Sequence, residues 1–135
     1  MNRPSRKPTV LVVDDSAVMR AMIVRTLGLT GLPIGDIVQA EHGRRALECL
    51  AAQPVDLVLV DLNMPVMGGE ELLVNLRANP ATARIPAVVI SSDSSAGRPR
   101  RLLELRAAFV RKPFTPESLA ETVGCVLGGA GHAVA

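Results

Sequence analysis

The chain has 135 residues, 48% of them hydrophobic, and a formal net charge of +2. That length suits one domain with a sizeable core rather than two, and no apolar stretch approaches the roughly 20 residues needed to span a bilayer. So mild a charge, without a clustered basic face, gives no footing for nucleic-acid binding, and the short apolar run after the basic amino terminus is no secretory segment, so a cytoplasmic protein without a membrane partner is expected.

Residues 1–8 carry Arg3, Arg6 and Lys7 around two prolines and no apolar pattern, as expected of a flexible basic arm. Val10 to Val13 then form a short buried strand that ends in Asp14 and Asp15. Ser16 is placed to cap a helix over Ala17 to Leu29, in which Met19, Met22, Ile23, Thr26 and Leu27 make a core-facing stripe. Gly28, Gly31, Pro33 and Gly35 break the chain before a weaker strand at Ile37 to Ala40. Gly43 leads a second helix with Ala46, Leu47 and Leu50 inward, ending near Gln53-Pro54.

Val55 to Gly69 reads VDLVLVDLNMPVMGG. Leu57, Val58, Leu59 and Val60 show no polar alternation, which suits a strand covered on both faces, and the run stops at Asp61. A third helix over Glu70 to Ala78 turns Leu72, Leu73 and Leu76 inward and stops at Asn79-Pro80. Ala87 to Ile90 form a fourth strand that runs into Ser91-Ser92-Asp93-Ser94-Ser95. Pro99 suits the first turn of a fourth helix with Leu102, Leu103 and Leu105 inward, and Arg98, Arg100, Arg101 and Arg106 dominating its remainder. Ala108 to Arg111 make a fifth strand ending at Lys112-Pro113. Thr115 caps a last helix that begins with Pro116 and turns Leu119, Val123, Val126 and Leu127 inward. Residues 128–135 read as a frayed, flexible tail.

Strands alternating with helices imply an α/β fold, a single open parallel sheet with helices on both faces. Cys49 and Cys125 occupy apolar positions of expected helices and read as two buried free thiols. Neither His42 nor His132 has a Cys or His at metal-ligand spacing.

The polar residues fall where chemistry would sit. Asp14-Asp15, Asp61, Ser91 and Lys112 all stand at carboxyl ends of parallel strands, the edge where open α/β sheets keep their ligands. Three carboxylates gathered there repel one another unless a cation joins them, and oxygen-only donors suit Mg²⁺. Asp61 could then attack a phosphoryl group, with Lys112 neutralising charge and a serine hydroxyl donating to a phosphoryl oxygen. A hydrolase working through an aspartyl phosphate would also place an aspartate after a hydrophobic strand. Such enzymes usually carry a second acid two residues on, and here that residue is Asn63. A dinucleotide-binding fold is weaker still, because no G-x-G-x-x-G follows the first strand.

The segments VLVVDDS with MR following, LVLVDLNMPVMGG, VVISSDS and FVRKPF resemble the receiver domains of two-component response regulators, over about residues 9–127. The resemblance implies a flavodoxin-like five-stranded sheet of order 2-1-3-4-5 with five helices. It implies that Asp61 is the phosphoacceptor, Asp15 a direct Mg²⁺ ligand, Asp14 a ligand through water, and the backbone carbonyl of Asn63 the last protein ligand. Lys112 would pair with the phosphoryl group, Ser91 would be the switch hydroxyl and Phe109 the aromatic switch, and Lys112-Pro113 would be cis. Three departures stand out. Ser91 replaces a common threonine, Phe109 a frequent tyrosine, and Leu105-Arg106-Ala107-Ala108 lacks the glycine usual before the last strand.

The function implied is that of a stand-alone switch and not an enzyme, although it promotes its own phosphorylation and dephosphorylation. It would take its phosphoryl group from a sensor histidine kinase and signal by binding an effector protein through the fourth helix, fifth strand and fifth helix. A phosphorelay intermediate that hands the group to a histidine phosphotransfer protein fits the same residues. A monomer or weak dimer is expected. The arginines of the fourth helix either favour an acidic partner or are a solvated face.

Overall fold

Short runs of Val, Leu and Ile without polar interruption cannot leave either face in water, and all the central strands are covered on both sides. In the computed structural model, which describes residues 7–92 and 98–132, these runs form β1 (Val10–Val13), β2 (Ile37–Ala40), β3 (Leu57–Val60), β4 (Ala87–Ser91) and β5 (Ala107–Arg111). They pair in parallel as one five-stranded sheet of order β2-β1-β3-β4-β5. The helices between them are α1 (Ala17–Gly28), α2 (Gly43–Ala52), α3 (Gly69–Ala78), α4 (Arg98–Glu104) and α5 (Pro116–His132). The expected fold class and strand order are therefore the observed ones.

The two-residue period of a strand sorts its side chains into two cores. Leu11, Val13, Val58, Val60, Ala87 and Val89 pack against Ala46 and Cys49 of α2, Leu72, Leu73 and Leu76 of α3, and Leu102 of α4. The alternate residues Val10, Val12, Leu57, Leu59, Val88 and Ile90 pack against Ile23 and Leu27 of α1 and Leu119 and Val123 of α5. Each fully buried aliphatic side chain contributes about 1.5–3 kcal/mol. No helix among the described residues is long and apolar enough to cross a membrane.

Caps agree with their sequence signals. Ser16 Oγ accepts the Met19 N–H at 3.1 Å, and Thr115 Oγ1 accepts the Ser118 N–H at 3.0 Å. Several interior assignments change. Met22, expected inward, is 50% exposed and Leu103 is 78% exposed. In α1 the core-facing stripe narrows to Ile23 and Leu27, with Met19 partly buried. In α4 the short helix meets the core through Leu102, and Leu105 enters it from the following turn. Arg106 also lies in that turn rather than in the helix. Cys49 is buried but Cys125 is exposed, so only one thiol is internal. Lys7 is the first described residue, and beside it the Pro8 carbonyl accepts the Gly35 N–H at 2.8 Å. At the other end α5 continues past Leu127 to His132, because glycine weakens a helix by about 1 kcal/mol per residue without forbidding it. Asp93, Ser94 and Ser95 lie outside the described residues.

The missing glycine before β5 finds its explanation in the backbone. Arg106 itself takes the left-handed conformation, at φ 55°, and its chain is held there from outside. Arg77 of α3 donates to the carbonyls of Leu105 (2.8 Å) and Arg106 (3.1 Å) on one side, and of Ala83 (3.0 Å) and Ile85 (2.7 Å) on the other.

Candidate functional site

The ends of β1, β3, β4 and β5 deliver polar groups to the same edge of the sheet. Asp61, directly after β3, donates its N–H to the Val13 carbonyl at 3.0 Å. Asp14, directly after β1, donates its own to the Ala40 carbonyl at 3.1 Å. These ladder bonds continue the sheet one residue past its strands, so the two carboxylates arrive side by side. One ligand oxygen from each of Asp14, Asp15 and Asp61 can be chosen so that all lie within 4.8 Å of one another. Asp14 is 2% exposed and Asp61 9%, whereas Asp15 is exposed.

Lys112 reaches this cluster from the end of β5. Its Nζ lies 3.4 Å from Asp14 Oδ2 and 3.7 Å from Asp61 Oδ1. It is placed there because its N–H donates to the Ser91 carbonyl at 3.0 Å, and the following Lys112-Pro113 bond is cis, as expected. Burial pushes the Asp61 carboxyl above the usual aspartate range, the Lys112 ammonium pulls it back, and the Asp14 carboxylate pushes it up again. The backbone N–H groups of Leu62 and Asn63 also favour its charged form. The net displacement is upward, so desolvation and like charge outweigh one ammonium at these distances.

The loop after Asp61 is folded back tightly. Gly69 donates to the Leu62 carbonyl at 3.0 Å, and a Cβ on Gly69 would overlap the Asp61 carbonyl oxygen. Gly43 at the start of α2 donates to the Met67 carbonyl at 3.0 Å, and a Cβ there would come within 2.7 Å of Met67 Cγ. Between these anchors Val66 takes φ 68°, a strained conformation for a β-branched residue. Asn63 is exposed at the start of the loop.

Ser91 is fully buried at the end of β4. Phe109 pairs with Val89 across β4 and β5 and is partly buried, on the sheet face covered by α2, α3 and α4. Asp14, Asp15, Asp61 and Lys112 are thus gathered at one point, with Asn63 following Asp61 in its loop and Phe109 on β5 three residues before Lys112. The expected arginine face is divided. Arg101 pairs with Glu70 of α3 at 2.9 Å and with Glu104 at 3.0 Å, while Arg106 sits at the opposite edge of the sheet.

Two contacts near the site were not expected from the sequence. His42 caps α2, its Nδ1 accepting the Arg45 N–H at 3.1 Å. Arg20 Nη1 donates to the Asp14 carbonyl at 2.6 Å, and its Nε to Gln39 Oε1 at 3.0 Å. The only sequence signal for the latter was an arginine one turn into a helix that follows two aspartates.

Comparison with known proteins agrees with this architecture. Residues 10–124 match the family model of the response regulator receiver domain. The chain is 39% identical over 123 residues to chemotaxis protein CheY1 of Helicobacter pylori, covering 88% of this chain and 96% of that protein. It is 37% identical over 131 residues to a CheY homolog of Campylobacter jejuni, covering 93% and 98%. Among solved structures it resembles chemotaxis protein CheY4 of Vibrio cholerae with a TM-score of 0.80 at 30% identity, covering 90% of this chain and 99% of that one. A sheet of this order, its acidic cluster and these likenesses lead to one conclusion: the chain belongs to the response regulator receiver domains of two-component systems.

Proposed function

We propose that Asp61 accepts a phosphoryl group from the phosphohistidine of a sensor kinase and that the modified protein signals by binding an effector. The observation that carries this reading is the convergence of Asp14, Asp15 and Asp61 within 4.8 Å, with Lys112 Nζ 3.4 and 3.7 Å from two of them. An Asp61 oxygen attacks phosphorus, the P–N bond of the phosphohistidine breaks, and the imidazole leaves with a proton. Phosphoryl transfer asks for positioning and charge neutralisation, and the residues divide these tasks.

The cluster offers only oxygen donors at a solvent-accessible edge, a set that fits Mg²⁺. Asp14, Asp15, Asp61 and the Asn63 backbone carbonyl would hold it, and when bound it supplies the neutralisation that three carboxylates demand. Lys112, already between two of them, pairs with the incoming phosphoryl oxygens. The Ser91 hydroxyl turns toward those oxygens, and Phe109 moves into the space this vacates. Because β5 carries Phe109 and runs directly into Lys112, the change reaches the face made by α4, β5 and α5. Phosphorylation adds about −1.5 to −2 charges at pH 7, enough to alter such a local balance. The relatives bear the name of chemotaxis proteins, which favours a binding output over a phosphorelay step. The protein is a switch and not an enzyme acting on a separate substrate.

Incubation with acetyl phosphate and Mg²⁺, followed by intact-mass measurement, tests the reading. Wild type should gain one phosphoryl increment only with Mg²⁺, and Asp61→Asn should gain none. An equal increment on the variant, or none on wild type, overturns it.

A further inference from the structure

Asp14 has every polar group engaged. Its N–H goes to Ala40, its Oδ1 accepts the Ser16 N–H at 2.9 Å, its Oδ2 faces Lys112 at 3.4 Å, and its carbonyl receives Arg20. The N–H and C=O of a strand residue point to the same side, so the Asp14 carbonyl aims toward β2. That strand has ended at Ala40 and the chain is turning into α2, so among the described residues no backbone donor meets the carbonyl there. Arg20 takes that place from α1. Its fork spans two strands, with Nη1 2.6 Å from the Asp14 carbonyl and Nε 3.0 Å from Gln39 Oε1.

Asp15 is the opposite case. Its side chain is exposed and makes no hydrogen bond among the described residues, so its direction depends on its backbone alone. The Asp14–Asp15 peptide that Arg20 grips is the unit that sets this direction. We propose that Arg20 is a positioning residue of the metal site, holding the peptide that carries both acidic ligands through Asp14 without touching the ion. This rests on the Mg²⁺-dependent reading above and adds a residue to it.

Geometry and charge predict opposite signs, which makes the proposal decidable. A guanidinium close to the cluster repels a cation, so its charge alone would make Arg20→Gln bind Mg²⁺ more tightly. Loss of an outer contact that orients ligands typically weakens metal binding by about 10–100-fold. Mg²⁺ titrations followed by ¹H–¹⁵N NMR at constant ionic strength, on wild type, Arg20→Gln and Arg20→Lys, separate the two. The expected result is binding at least about tenfold weaker in Arg20→Gln and intermediate in Arg20→Lys, with the rate of adduct formation on Asp61 restored at saturating Mg²⁺. A general loosening of the fold would instead lower the saturated rate. Unchanged or tighter Mg²⁺ binding by Arg20→Gln overturns the proposal. Should that variant fail to fold, Gln39→Ala decides: weaker Mg²⁺ binding supports the role and unchanged binding overturns it. Failure of wild type itself to bind Mg²⁺ removes the underlying reading instead.

Discussion

At Asp61 opposing influences meet: burial and the Asp14 carboxylate raise its pKa, while Lys112 and the N–H groups of Leu62 and Asn63 lower it. The net rise has a consequence for stability. Below the ordinary aspartate value of about 3.9, the group is protonated in folded and unfolded chains alike. As pH climbs through the raised folded value, the folded chain holds a proton longer than the unfolded one, and stability falls. Asp61→Asn should therefore be more stable than wild type at neutral pH without Mg²⁺, with the gap closing as pH drops through the carboxylate range. Thermal melts across that range check the sign, and a variant less stable than wild type at neutral pH would contradict it. Asp61 itself was legible in the sequence, because an acid that ends a buried strand has few ordinary reasons to be there. Arg20 was not, since its partners are a backbone carbonyl and a glutamine on another strand, and no spacing rule names either.

Among the elements, helices were legible in kind but less so in extent and orientation: Arg106 falls outside α4, and α5 runs on to His132. Apolar side chains at helical spacing mark a face, yet Met22 and Leu103 lie at its margin and turn outward, where only the neighbouring helices could decide. The turn between α4 and β5 shows a different limit. The glycine usual before the last strand is absent, and Arg106 adopts the left-handed conformation instead while Arg77 holds the surrounding carbonyls. Burial and the nearby Arg106 lower the Arg77 pKa, an unfavourable setting that the four carbonyl contacts offset. Arg77→Met should leave these carbonyls short of donors and cost about 2–4 kcal/mol, since removing a donor exposes each partner's desolvation penalty. Urea denaturation measures this, and a loss below about 0.5 kcal/mol, typical of a surface substitution, would show that water replaces the guanidinium.

For the whole molecule, the alternation of strands and helices was enough to give a parallel sheet, because right-handed crossovers leave few topologies. Strand order was not readable from pattern, since β1 and β3 are equally apolar on both faces. It came with the resemblance to receiver domains, and the pairing of β1 with both β2 and β3 agrees with it.

The two cysteines differ in a way that can be put to use. Cys49 lies on the buried face of α2, and Cys125 is open to solvent on α5. A thiol reagent added to the native protein should modify one site at once and the second only as fast as the domain opens. Two fast thiols would contradict the burial of Cys49. With neither tryptophan nor tyrosine in the chain, a dye on Cys125 would supply the optical signal the protein lacks. The slow thiol would meanwhile time its opening in the same sample.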